Sequence, residues 1–367
     1  MTLSPLRKFA PLTRSIKSGA LFLLIASLAV SCQKKGTDVS STGMQTVEES
    51  QNEQAATAPS AKTVAVTEPV AVENVAQDAV SAPSSSQAAG AGLRFLAYNV
   101  ENWLVMEERY DFDTRVTEKN ASKPDKEKAA VVEIVKSAQP DVLGVCEIGT
   151  KEDLADIQAR LKAAGLDLPH SHFAGGMDRT RHLGLLSRHP ISSTAVPADL
   201  NYRLNGKEYG MQRGILDATV KTPDGREWRF LGVHLKSKRD VEDGDQNLMR
   251  INESQLLRKH IDGILSANPQ ARLIAYGDFN DTRRTSPLRI VQGPYNSPRG
   301  MSPIGAHDSR GEYWTHFWAR EDVYSRFDYI HFSQALKKDV NFQECGILDP
   351  KNWNDASDHR AVLGVFR

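Results

Sequence analysis

Short polar motifs at the ends of apolar, strand-like runs constrain this chain more than anything else in it. They are spread in one order over more than 250 residues. Asn99 lies in FLAYNVEN, Glu147 in DVLGVCEI, His234 in RFLGVHLKS, and Asp278 and Asn280 in LIAYGDFND. Asp328 lies in SRFDYI, and Asp358 with His359 in SDHRAV. Strand ends in an α/β protein are where a rigid sheet delivers side chains into one crevice. The pattern therefore asks for a sheet that brings distant parts of the chain to one edge.

Periodicity supplies the elements. Strands are predicted over Arg94–Val100, Asp141–Cys146, Leu183–Ser187, Gly214–Val220, Glu227–Leu235, Arg272–Tyr276, Phe327–Phe332 and Ala361–Phe366. Helical spacing predicts helices over Asp125–Ser137, Asp153–Ala164 and Asn252–Leu265, the second stopped by Gly165. The Pro223-Asp224-Gly225 turn predicts a hairpin. Hairpins mixed with crossovers argue for an α/β protein whose sheets are not purely parallel. The stretch Thr282–Glu312, rich in Gly, Pro, Arg and Ser, reads as a long functional loop.

The folded part is expected at 93–367, as one domain. Before it, Arg7, Lys8, Arg14 and Lys17 precede an apolar run from Gly19 to Val30. That run is too short to span a bilayer and suits an export signal over 1–31. It ends in Leu28-Ala29-Val30-Ser31-Cys32, which resembles a bacterial lipobox, with Ala29 where Leu is more usual. Lipidation at Cys32 would make the mature chain an exported, membrane-anchored lipoprotein, on the periplasmic face or the cell surface. Residues 32–92 hold no Phe, Trp or Tyr and are expected to form a disordered linker. About 60 flexible residues reach roughly 40–45 Å.

Lysine plus arginine equals aspartate plus glutamate, 46 of each, so no global field attracts a polyanion. Local basic clusters remain at Arg179 and Arg181, at Lys236 with Lys238 and Arg239, and at Arg283 with Arg284. Cys146 and Cys345 do not make a disulfide framework, and Cys146 reads as a small buried hydrophobe.

Glu147 follows a run of apolar and glycine residues, where an acid is costly unless paired or bound to a cation. A hard cation, Mg²⁺ or Mn²⁺, takes such an oxygen ligand. Asn99 either orients a carboxylate or gives the metal an oxygen. Asp278 suits holding an attacking water, and Asn280 suits stabilising charge on phosphorus oxygens, although GDFND is also good turn chemistry. His234 is either a core histidine or a site edge, and the Lys236 that follows it favours the edge and a substrate contact. Arg213 is placed to clamp a phosphate, or else to make a surface ion pair. Asp328 is expected to pair with His359, since adjacent strand residues point to opposite faces. Carboxylates, amides and two histidines delivered together make up a metal-assisted phosphoester hydrolase.

These motifs, GDFND and SDHR in that order above all, resemble the endonuclease/exonuclease/phosphatase superfamily. It includes deoxyribonuclease I, exonuclease III, inositol polyphosphate phosphatases and bacterial sphingomyelinases. The resemblance covers Leu93 to Arg367. It implies a four-layer sandwich of two packed mixed β-sheets flanked by helices. It places Asn99, Glu147 and Asp358 at the metal, which is Mg²⁺, with Mn²⁺ or Ca²⁺ as alternatives. It places Asp278, Asn280, Asp328, His359 and His234 in the catalytic set. The histidine at 234 sides with deoxyribonuclease I, but the glutamate that partners it there is not identifiable by motif. The expectation is a monomeric, metal-dependent nuclease acting on DNA by in-line water attack. Its rivals are a phospholipase C-type or small-molecule phosphoester hydrolase and a noncatalytic surface-binding module. An exposed aromatic hairpin would favour the phospholipase, and Tyr313–Trp318 is the candidate for one.

Overall fold

A computed structural model describes residues 92–110, 115–242 and 244–367. The expected signal peptide, Cys32 and nearly all of the expected linker lie outside the described residues. In chain order the first elements are β1 (Leu93–Trp103), β2 (Met106–Tyr110), β3 (Thr117–Ala121), α1 (Asp125–Ala138), β4 (Val142–Ile148) and α2 (Lys151–Ala163). Then come β5 (His170–Ala174), β6 (His182–Ser187), β7 (Ile191–Ala195), β8 (Asn201–Leu204), β9 (Lys207–Gly210), β10 (Leu216–Lys221) and β11 (Glu227–His234). The chain continues through α3 (Gln246–Ala267), β12 (Arg272–Asp278), α4 (Ser286–Gln292), β13 (Met301–Pro303), β14 (His316–Trp318) and β15 (Val323–Ser325). It closes with β16 (Asp328–Ser333), β17 (Gly346–Ile347), α5 (Trp353–Ala356) and β18 (Val362–Phe366).

Two six-stranded sheets carry the fold, in the orders β17-β18-β1-β4-β6-β5 and β13-β16-β12-β11-β10-β7. Each holds one parallel pair joined by a helical crossover, β1–α1–β4 in the first sheet and β11–α3–β12 in the second. All other pairings are antiparallel, and the predicted turn at 223–225 closes the β10–β11 hairpin. Phe95 of the first sheet packs on Phe230 and Tyr276 of the second, with ring centroids 4.9 and 4.7 Å apart. Fully burying such a side chain contributes about 1.5–3 kcal/mol. The sheet-to-sheet face therefore fixes where the strand ends lie. Val131, Ile134 and Val135 of α1 cover the outside of the first sheet, and Leu257, Ile261 and Leu265 of α3 cover the second. The architecture is the expected four-layer α/β sandwich. Helices over both outer faces explain why the central strands read as continuous apolar runs.

Two predictions need correction. α3 begins at Gln246, capped by the Asp245 side chain, rather than near Asn252. Its first turns bury Arg250, Glu253 and Ser254, so apolar periodicity does not mark them. The stretch 282–312 is not all loop: it folds α4, with Pro287 in its first turn, and β13. Among the described residues no helix is long and apolar enough to cross a membrane.

Candidate active site

Sheet geometry brings the polar strand ends together. In the second sheet His234 pairs in register with Asp278, and Asp278 with Asp328, so three site residues stand side by side. In the first sheet Asn99 pairs with Cys146, next to Glu147, just before the β1 register shifts. Two turns make this edge possible. Gly277, at φ 129°, lies so close to β11 that a Cβ there would meet the Val233 carbonyl oxygen at 1.9 Å. Asn280 takes a left-handed φ of 49°, and its N–H donates to Asp278 Oδ1 at 2.8 Å. GDFND is thus both an Asx turn and a site element. The turn is what holds Asp278 in place.

The buried Asn99 amide links the two sheets. Its Nδ2 donates to Glu147 Oε1 and to Asp278 Oδ2, both at 3.2 Å, and stands 3.4 Å from His359 Nε2. His359 Nδ1 lies 2.7 Å from Asp328 Oδ2, the pairing expected from sequence. Ser357 braces this corner, donating to the Asn99 carbonyl at 2.8 Å and accepting from the His359 N–H at 3.0 Å. His234 Nε2 is 3.6 Å from Asp278 and 3.9 Å from Glu147, while its buried Nδ1 has no partner among the described residues. No carboxylate holds that nitrogen, in keeping with the missing glutamate.

Electrostatics sort these groups. Burial, with Arg213 nearby, pushes His234 down to about 3, so it is a neutral imidazole. Burial also opposes charge on His359, yet Asp328, Asp358 and Asp278 raise it well above the usual histidine range. Burial, with repulsion from Asp328 and Glu147, pushes Asp278 up to about 7.

Beside Glu147 lies an acidic group that the motifs only partly revealed. Glu101 accepts from the Asp358 N–H at 3.0 Å. Desolvation and repulsion from Asp358 and Glu147 push Glu101 up to about 8, and desolvation with repulsion from Glu147 and Asp278 pushes Asp358 up to about 6. Glu101, Asn102 and Glu147 all take left-handed φ, at 47°, 52° and 65°. Such strain in non-glycine residues clusters at functional sites. Carboxylates with raised proton affinity suit a hard divalent ion, and among the described residues the side chains whose ligand atoms all lie within 4.8 Å of one another are His316, Asp358 and His359, and Asp278, Asp328 and His359. The clue to Glu101 was its place two residues after Asn99 in the same motif.

Cations stand on both sides. The Arg213 guanidinium is buried, with Asp178 3.1 Å from Nε as an ion pair and no hydrogen-bond partner for Nε or NH1 among the described residues. Arg181 Nε lies 2.9 Å from Asn102 Oδ1 and 3.6 Å from Glu147. The Lys236 ammonium turns to its own loop, donating to Ser237 and the Arg239 carbonyl. Of the two expected substrate contacts, Arg213 therefore keeps the free donor. His316, passed over as part of an aromatic run, stacks on Phe327 and stands 3.7 Å from Asp358.

A family model described as the Endonuclease/Exonuclease/phosphatase family matches residues 102–359. Among solved structures, truncated TDP2 of Caenorhabditis elegans is 18% identical, covers 75% of this chain and 97% of its own, and gives a TM-score of 0.50. The human Nocturnin catalytic domain, with a bound sulfate anion, is 17% identical, with coverages of 75% and 94% and a TM-score of 0.50. A beta toxin from Staphylococcus aureus is 13% identical, with coverages of 75% and 100% and a TM-score of 0.52. At such identities the likeness is one of fold. No curated protein matches the chain in sequence.

Proposed function

The chain belongs to the endonuclease/exonuclease/phosphatase family, whose members are phosphoester hydrolases, and on that premise we propose an exported, lipid-anchored, Mg²⁺-dependent phosphodiesterase that cleaves DNA. The observation that carries this proposal is the Asn99 amide, within 3.4 Å of a Glu147 carboxylate, an Asp278 carboxylate and His359. That arrangement sets oxygen donors, a proton acceptor and a charged imidazole around one point.

Each residue then has a task. Glu147, Asp358 and Glu101, with Asn99 beside them, would hold the divalent cation, which when bound stabilises negative charge on phosphorus oxygens. Asp278, with a proton affinity near neutrality, accepts a proton from the attacking water. His359, kept charged by Asp328, clamps a phosphate oxygen. Neutral His234 contacts the phosphate or the leaving oxygen as a hydrogen-bond donor rather than as an imidazolium acid. Arg213 offers NH1 to the phosphate, and Asn280 stays with the Asp278 turn as its brace.

Arg181, Arg213, Lys238, Arg239, Arg283 and Arg284, on or flanking the segments that carry the site, favour a polyanion despite the neutral whole. Cys32 would anchor the chain to a membrane, with the linker as its leash. A phospholipase C-type activity is the second reading, favoured by the β14–β15 hairpin, where Trp318 and Tyr324 are about half exposed.

Plasmid nicking tests the choice, run with Mg²⁺, with EDTA, and with His359→Ala. Nicking that needs both the metal and the histidine supports a nuclease. A folded, cation-binding protein that leaves the plasmid intact removes DNA as substrate and turns attention to phospholipids.

A further inference from the structure

Two charged side chains on α3, Arg250 and Glu253, are fully buried three residues apart on one face of the helix. Burying charge inside a helix–sheet interface is costly, and apolar residues pack as well or better there. One and two turns further on, the same face does use Leu257 and Ile261. The two charged groups make specific bonds instead. Glu253 Oε1 accepts from the Gln212 N–H at 2.9 Å and its Oε2 from the Lys236 N–H at 2.6 Å. Arg250 donates NH1 to the Lys236 carbonyl at 2.9 Å and Nε to Asp281 Oδ2 at 2.9 Å. Lys236 is therefore gripped by its N–H and its C=O at once. Gln212 precedes Arg213, Lys236 follows His234 by two residues, and Asp281 follows Asn280.

We propose that Arg250 and Glu253 are positioning residues, through which α3 sets the spacing between the Arg213 and His234 phosphate contacts and the Asp278–Asn280 turn. This rests on the phosphodiesterase proposed above. Neither side chain hydrogen-bonds Arg213, His234 or Asp278; each acts through the backbone or through Asp281. Glu253 bears on the phosphate side. Arg250 ties that side to the turn that holds Asp278. A glutamine at 253 has only one acceptor oxygen, and its amide would meet one of the two N–H groups donor to donor.

The test compares Glu253→Gln, Arg250→Lys and Leu257→Ala in the full chain. Leu257→Ala is the packing control, since it weakens the same interface without touching the loops. Two readouts are needed: KM and kcat on a phosphodiester, and amide hydrogen exchange at Gln212, Arg213 and Lys236. Glu253→Gln is expected to raise KM about tenfold or more with kcat within about threefold, because misplacement of a contact by a fraction of an ångström is enough. Exchange should speed at Gln212 and Lys236 while the sheet core stays protected. Arg250→Lys is expected to lower kcat about tenfold as the Asp281 turn loosens. Kinetics and exchange no different from Leu257→Ala would overturn the proposal. A wild-type protein that hydrolyses no phosphodiester would sink the proposed activity alone, and the exchange pattern would still decide whether α3 fixes these loops.

Discussion

The two sides of the site are built differently. On the first-sheet side Glu101, Glu147 and Asp358 repel one another, and Glu101 and Asp358 have raised proton affinities. Their backbone is strained as well, with left-handed φ at Glu101, Asn102 and Glu147. On the second-sheet side Arg213, neutral His234 and Lys236 gather, with buried Glu253 and half-buried Asp178 as counter-charges to the two cations. The first side sets Arg181 3.6 Å from Glu147 and Lys123 4.0 Å from Glu101, while the second keeps Arg213 Nε and NH1 without hydrogen-bond partners among the described residues. On the function proposed above, a divalent ion would take the acidic side and a phosphate the side of Arg213. The contrast also separates what a substitution should do on either side.

The largest effect is expected where the two sides meet. His359→Ala should lower kcat about a thousandfold, since general acid–base and clamp groups contribute about 10²–10⁴-fold, and should lower the melting temperature by leaving the buried Asp328 carboxylate unpaired. A mild loss would place the chemistry on one side alone. Next, Glu147→Gln should weaken Mg²⁺ or Mn²⁺ binding about a hundredfold, read by titration calorimetry, while inorganic phosphate binding stays close to wild type. Arg213→Lys should do the reverse: KM up about tenfold for loss of the planar fork, with cation affinity unchanged. If either variant moved both affinities equally, the division between the sides would not hold. The smallest effect is expected at Lys238, a half-exposed partner of Asp281 at 3.3 Å. Lys238→Ala should slow association with DNA by less than about threefold at low salt and have no effect at high salt.

Most of the sandwich was legible because its central strands are buried on both faces and leave long apolar runs. The chemistry was legible because each polar residue interrupts or ends such a run: Glu147 after Val145 and Cys146, Asp278 after Tyr276 and Gly277. What escaped did so for physical reasons. The start of α3 buries charge, so hydrophobic periodicity begins two turns late. The hairpins β2–β3 and β14–β15 are short and largely exposed, with no apolar alternation to mark them, and β8 alternates buried Tyr202 and Leu204 over only four residues. Glu101 and His316 sit beside stronger signals and take their place only through contacts, with the Asp358 backbone and the Asp358 side chain respectively. Cys146 and Cys345 are both buried and unbonded, a question that spacing alone left open.

β1 holds a central place in the first sheet, between β4 and β18, although β18 comes some 260 residues after it. A ribosome releases these neighbours far apart in time. Until Val362–Phe366 emerge, β1 presents a bare apolar edge of the kind that invites wrong partners. His359 arrives only three residues before that strand. β18 thus completes the sheet and the site in one step, so a nascent or truncated chain should be aggregation-prone and inert together, with no partly folded form able to hydrolyse a phosphoester.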